Sequence, residues 1–295
     1  MPAAAGPLTL RFMGGEAPPP STGREVNKWF DDFGNVCGRA FSCENFHWIA
    51  WSGLGVFVFS VGAHEVRVWP EADASRETVV HAFSRMLQPV ILQALGWGQV
   101  LHAGATAGPG GVLAFCGKSG SGKSTLAFAM QQLGWSQFAD DLLVLRPDGD
   151  CVTACSLDFT PRLRPASRAH FAQAPVRLSS SPQPQPATAA LAAVFLLEQN
   201  EGLTVPKISL MPQARAFSEL LAHAHCFDAE DPGQIRRLVD SYLLLAECVP
   251  VFRLAYRPNL QHLGQLIDAI AETDSIGRTA HVRRSAFGTS DCMIH

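Results

Sequence analysis

The run Gly117-Lys118-Ser119-Gly120-Ser121-Gly122-Lys123-Ser124 constrains this chain more than any other feature. It satisfies the pattern G-x-x-x-x-G-K-[ST] at every fixed position. The strand-like Val112-Leu113-Ala114-Phe115 precedes it, and the helix-like Thr125-Leu126-Ala127-Phe128-Ala129-Met130 follows. Strand, glycine-rich loop and helix in that order imply an α/β fold. The glycines let successive backbone N–H groups converge on phosphate oxygens, and the helix N-terminus adds partial positive charge. In such a loop Lys123 reaches the β- and γ-phosphates, Ser124 offers its hydroxyl to Mg²⁺, and Thr125 opens the helix. Residues 117–125 are therefore expected to bind ATP with Mg²⁺; the alternative is a glycine-rich turn that binds nothing.

Beyond Gly98 the chain alternates apolar strands (112–116, 137–145, 192–197, 207–211, 251–255) with amphipathic helices (123–133, 213–223, 233–248, 260–271), which supports the same α/β reading. Upstream, residues 46–69 carry aromatic and β-branched runs punctuated by glycine, the pattern of an antiparallel meander. A helix over 76–96, broken at Pro89, links the two parts. The expected organisation is a flexible lead-in over 1–40 with one short strand at 8–12, a small N-terminal β module with its linking helix over 41–97, a P-loop domain over 98–275 and a flexible tail over 276–295. The Ser/Pro/Gln-rich stretch 179–186 reads as a loop.

Charge narrows the function classes. With Lys+Arg 23 against Asp+Glu 26, the net charge of −3 provides no global basic field for nucleic acid. Trp48, Trp51 and Trp69 read as core of the β module and not as a base-stacking platform. The most apolar stretch, 48–63, is interrupted by Ser and Gly and is too short to span a bilayer, so neither a membrane nor a nucleic-acid partner is expected. The first twenty residues lack the pattern of a secretory signal, and the eight cysteines show no CxxC pairing. Both point to a cytoplasmic protein. His223-x-His225 and Cys151-x₃-Cys155 lack the further ligands of a closed zinc site.

What the nucleotide is used for turns on Asp140-Asp141, which arrive one helix and one turn after Lys123. Paired carboxylates suit phosphoryl transfer, one holding Mg²⁺ or its waters while the other accepts a hydroxyl proton. Here the sequence resembles the catalytic domain of HPr kinase/phosphorylase, the P-loop serine kinases related in fold to ATP-dependent phosphoenolpyruvate carboxykinase. Leu101-His102-Ala103, the P-loop and Phe138-Ala139-Asp140-Asp141 carry the likeness in register. Weaker similarity runs through Pro161-Arg162-Leu163-Arg164, the strand 193–198 and Pro250-Val251-Phe252-Arg253-Leu254, so roughly residues 98–272 are covered. The family's Glu-Arg-Gly signature has no counterpart; the corresponding region reads FTPRLRPASRAHF. The likeness is closer to stand-alone HPr-kinase-like proteins, some of which serve ribosomal-peptide pathways such as those of lasso peptides.

The resemblance implies Asp140 as the base that takes the acceptor proton, Asp141 as a magnesium-side carboxylate beside Ser124, and His102 as an orienting neighbour; the order within the Asp pair stays open. Arg162 and Arg164, two apart on an extended segment, form either a phosphate clamp or solvated surface. The expected activity is ATP- and Mg²⁺-dependent phosphorylation of a serine-type hydroxyl in a peptide or protein, a lasso or other ribosomal peptide precursor among the candidates. The alternatives are a small-molecule kinase on this scaffold and a nucleotide-sensing module without transfer. Homo-oligomerisation stays open.

Overall fold

The apolar strand ahead of the glycine loop, β8 (Gly111–Cys116), lies at the middle of a nine-stranded mixed sheet in the computed structural model. The structure describes residues 8–16, 23–31, 33–44, 46–131, 134–149, 151–159, 163–173 and 187–273. On one side of β8 comes β7 (Gln99–Gly108), antiparallel, followed by β10 (Leu142–Asp148) and β11 (Cys151–Cys155). On the other come β12 (Thr188–Gln199) and β15 (Val251–Tyr256), both parallel to β8, and the antiparallel edge strand β13 (Lys207–Leu210). Two short strands, β9 (Ser136–Ala139) and β14 (Ala224–His225), also pair with β7.

Alternation explains why β8 is apolar throughout. Val112, Ala114 and Cys116 join one core with Leu238, Tyr242 and Leu245 of α6 (Pro232–Cys248) and with Ala216 and Leu220 of α5 (Gln213–Leu221). Leu113 and Phe115 join another with Leu126 and Met130 of α3 (Lys123–Met130) and with Leu266, Ile267 and Ile270 of the helix over 263–273. A strand covered on both faces has no polar side to show. The helix expected over 123–133 ends its regular turns at Met130. The single strand expected over 137–145 is instead two, β9 and β10, separated by Asp140 and Asp141.

The N-terminal part corrects the expected lead-in over 1–40. Its sheet has six strands in the order β1-β6-β5-β4-β3-β2, and three of them fall before residue 44: β1 (Thr9–Phe12), β2 (Arg24–Phe30) and β3 (Val36–Cys43). The expected meander is β4 (Phe46–Trp51), β5 (Gly55–Ser60) and β6 (Glu65–Pro70). Strand β2 escaped notice because its polar residues are engaged in specific contacts and not in an apolar stripe. Arg24 pairs with Asp228 and Glu230, and Asn27 Nδ2 donates to the Cys226 carbonyl at 2.9 Å. The two sheets share a core in which Ile49, Phe57 and Val68 meet Val100, Val144 and Phe227. The loop over 179–186 and the tail over 276–295 lie outside the described residues.

The linker is helical as expected, but its irregularity lies before Pro89. α1 (Arg76–Ala82) passes into a π-turn at Phe83–Leu87 and then into α2 (Gln88–Ala94), where Pro89 occupies the first turn that tolerates it. No helix among the described residues is long and apolar enough to cross a membrane.

His225 sits where the sheets meet, its ring stacked on Trp29 at 6.2 Å. Burial pushes its pKa from 6.5 down to about 4, with the nearby His102 adding to the effect. Folding therefore favours neutral His225. Its contribution to stability is intact above about pH 6.5, erodes as pH falls toward 4, and is lost below that. Melting temperature against pH in the wild type and in His225→Phe checks this: the variant should lack this part of the acid-side slope, and identical slopes would contradict it.

Candidate functional site

Three parallel strands deliver their C-terminal ends to one place. After β8 the chain enters the glycine loop; Gln199, ending β12, donates through Nε2 to the Gly120 carbonyl at 3.2 Å; Tyr256, ending β15, donates its hydroxyl to the Ser121 carbonyl. Ligand sites in α/β sheets lie at the carboxyl ends of strands because the loops there are free to vary over a rigid frame. Two glycines are required by the loop's geometry. Gly122 takes φ +92, and a Cβ there would lie 2.9 Å from the Tyr256 hydroxyl; at Gly117, φ +157, a Cβ would lie 2.5 Å from Ser121 Oγ.

Lys123 is 6% exposed, with Nζ donating to the Gly117 carbonyl at 2.9 Å. Burial lowers its pKa, while Asp141, Cys116 and Asp140 oppose that shift. Ser124 Oγ donates to Asp140 Oδ1 at 2.8 Å, and the Asp140 side chain is 5% exposed. The Asp141 side chain is 43% exposed and lines the cleft. The carboxylate at Ser124 is thus Asp140, where the expected magnesium-side partner was Asp141. Thr125 Oγ1 lies 2.8 Å from Ser167 Oγ, tying α3 to α4 (Pro165–Gln173).

A local backbone turn brings both carboxylates to one side. Adjacent residues of a regular strand point to opposite faces. Asp141 instead takes φ +71, the Leu142 amide donates back to the Asp140 carbonyl at 3.0 Å, and the Ala103 amide donates to the Asp141 carbonyl at 3.0 Å. This is a three-residue γ-turn of positive φ, a rare and strained form. Register against β7 survives it: Ala139 faces Ala105 and Leu142 faces His102. A non-glycine residue held at positive φ costs roughly 1–3 kcal/mol, and such residues concentrate at functional sites.

Arg85, from the π-turn, is the site residue the sequence reading missed. Its Nη2 donates to Asp141 Oδ2 and lies 3.8 Å from Asp140 Oδ2. The available signal was that Arg85 is the one Lys or Arg between Arg76 and Lys118. His102, on β7, also lines the cleft; the surrounding protein and the Lys123 charge lower its pKa, while Asp141 opposes the shift. Arg164 reaches over the loop, Nη2 to Ser119 Oγ at 3.3 Å. Arg162 lies outside the described residues. At the exposed loop tip, Ser119 and Gly120 line a cleft of about 1130 Å³.

The donor set fits Mg²⁺. A serine hydroxyl and a carboxylate oxygen are hard ligands, and Mg²⁺ commonly takes one or two protein oxygens while phosphates and water supply the rest. Among the described residues no group of three or more His, Cys, Asp and Glu could hold a metal ion, so an all-protein cage is absent there.

No protein-family model matches the chain, and no curated protein matches it. Among solved structures it is similar to the Hpr(Ser) kinase/phosphatase from Coxiella burnetii, at 11% identity, over 63% of this chain and 99% of that one, with a TM-score of 0.32. At that TM-score the likeness bears on neither chemistry nor substrate, and a functional reading stands on the loop and its carboxylates.

Proposed function

We propose that this protein is an ATP- and Mg²⁺-dependent kinase that transfers the γ-phosphate to a serine-type hydroxyl of a peptide or protein. The observation that carries the reading is the division of labour in the Asp pair: Asp140 is buried against the P-loop serine, and its neighbour faces the cleft. We assign Asp140, with Ser124, to the metal side and Asp141 to the acceptor side, reversing the order that the family resemblance implied. Mg²⁺ would offset charge on the triphosphate.

The chain's own residues then divide the work. Lys123 holds the β- and γ-phosphates, and Arg164 reaches toward them from across the loop. The acceptor oxygen attacks the γ-phosphorus, its proton passes to the Asp141 carboxylate, the bond to the β-phosphate bridging oxygen breaks, and ADP leaves. His102, next to Asp141, orients that carboxylate. The cleft, at about 1130 Å³, exceeds the ~300–1,000 Å³ of a typical single-ligand pocket, which supports room for nucleotide and acceptor together. The resemblance to stand-alone kinases of ribosomal-peptide pathways makes a precursor peptide the first acceptor to try.

The test is incubation of the full chain with γ-labelled ATP, Mg²⁺ and serine peptides, including peptides encoded beside its gene. Label on serine, abolished by EDTA and restored by Mg²⁺, is the expected result. Label on a small molecule alone would move the acceptor class. Nucleotide binding with no transfer to any hydroxyl would leave a sensing module and end the kinase reading.

A further inference from the structure

Two carboxylates turned to the same side of a strand repel each other unless a cation lies between them. In this protein Arg85 stands against both, and the Lys123 charge acts on both from the side of the glycine loop. Its side chain is 14% exposed, it touches Asp141, and it stands 3.8 Å from Asp140 Oδ2. One nitrogen, Nη2, makes both approaches, and Nε has no hydrogen-bond partner among the described residues. An arginine built to lock a carboxylate uses two nitrogens in a fork. This one is held at a corner, as suits a group that yields ground to a second cation.

Its mounting is equally specific. Neighbouring Phe83 and Leu87 of the π-turn are buried in the core shared with the N-terminal sheet, where the Phe83 ring stacks on Phe57 at 6.4 Å. π-turns insert one extra residue into a helix and so re-aim a side chain, frequently at functional sites. Here the turn anchors Arg85 on the N-terminal sheet and aims it into the cleft formed by the other sheet. That sheet therefore sets the position of a charge at the Asp pair.

We propose that Arg85 is a positioning residue that stands in for the metal: it balances Asp140 and Asp141 while the site is empty, releases Asp140 to Mg²⁺ when the nucleotide arrives, and keeps Asp141 aimed at the acceptor. The proposal rests on the kinase reading for the acceptor step, but its electrostatic core does not.

Melting temperatures of the full-length wild type, Arg85→Ala and Arg85→Lys, in EDTA and with Mg²⁺ alone, supply the first readout. Arg85→Ala should melt below the wild type in EDTA, Mg²⁺ should close most of the gap, and the wild type should shift little. Arg85→Lys, which keeps the charge and serves if the alanine variant does not fold, should show an intermediate Mg²⁺ response. The second readout is transfer to a serine peptide. For Arg85→Ala, kcat should fall on the order of 10²-fold while KM for ATP changes little, with partial recovery in Arg85→Lys. Equal Mg²⁺ shifts in wild type and variants, or a loss of melting temperature that Mg²⁺ leaves untouched, would overturn the proposal. Failure of the wild type to bind ATP·Mg²⁺ by calorimetry would instead sink the kinase reading, and the melting comparison would still judge Arg85.

Discussion

Asp141→Asn should bind ATP·Mg²⁺ like the wild type and transfer phosphate about 10²–10⁴-fold more slowly. Asparagine keeps the shape of aspartate and tolerates positive φ, so the γ-turn at φ +71 is preserved. What it loses is the ability to accept the hydroxyl proton. Asp140→Asn should behave differently, because that carboxylate accepts the Ser124 hydroxyl at 2.8 Å on the metal side. Its defect should appear as a raised Mg²⁺ requirement for nucleotide binding. Calorimetry with ATP at several Mg²⁺ concentrations and mass spectrometry of a serine peptide separate the two. Wild-type transfer by Asp141→Asn would remove the proposed base. A binding defect in Asp141→Asn together with a pure rate defect in Asp140→Asn would restore the order that the family resemblance implied.

Lys123→Ala should lose most productive nucleotide binding. The ammonium is buried beneath the loop, its Nζ on the Gly117 carbonyl, and it sits where incoming phosphate charge is least screened by water. Removing one partner of a buried charge pair costs about 2–5 kcal/mol, which corresponds to about 30- to 5,000-fold in affinity. Lys123→Met, which retains most of the side-chain volume, should separate charge from packing: it should fold like the wild type and still bind ATP·Mg²⁺ poorly. Unchanged affinity in a folded Lys123→Met protein would remove the nucleotide site from this loop.

The glycine loop was legible because its chemistry is local. Glycine at fixed offsets, then Lys and Ser, between an apolar strand and a helix leaves few alternatives, and the structure has β8, the loop and α3 in that order. Strand β8 and the centre of β12 were legible for a related reason: buried on both faces, they read as continuous apolar runs, whereas β15 was legible in spite of Arg253, which pairs with Glu198. Strand β2 was not, since its contacts are with residues some two hundred positions away, such as Asp228 for Arg24. Nor was the geometry of the Asp pair. Adjacent carboxylates on a strand should diverge, and nothing in Ala139-Asp140-Asp141-Leu142 announces the positive φ that brings them together. Arg85 depends on both of these non-local facts, a sheet that starts early and a turn that folds back.

The γ-turn at Asp141 also sets backbone ease against activity at one position. Glycine accepts positive φ without the strain that aspartate bears, and register with β7 needs no inserted residue, so Asp141→Gly would relax the backbone while leaving the sheet paired as before. It would also take from Arg85 the carboxylate that it touches, a loss that opposes the relaxed backbone, and it would remove the group assigned to proton transfer. At residue 141 thermal tolerance is thus set by the difference between backbone relief and a lost ion pair, whereas transfer is lost outright. A variant that keeps aspartate keeps both the strain and the ion pair, so added thermal stability would have to come from elsewhere, such as the apolar cores on the two faces of β8.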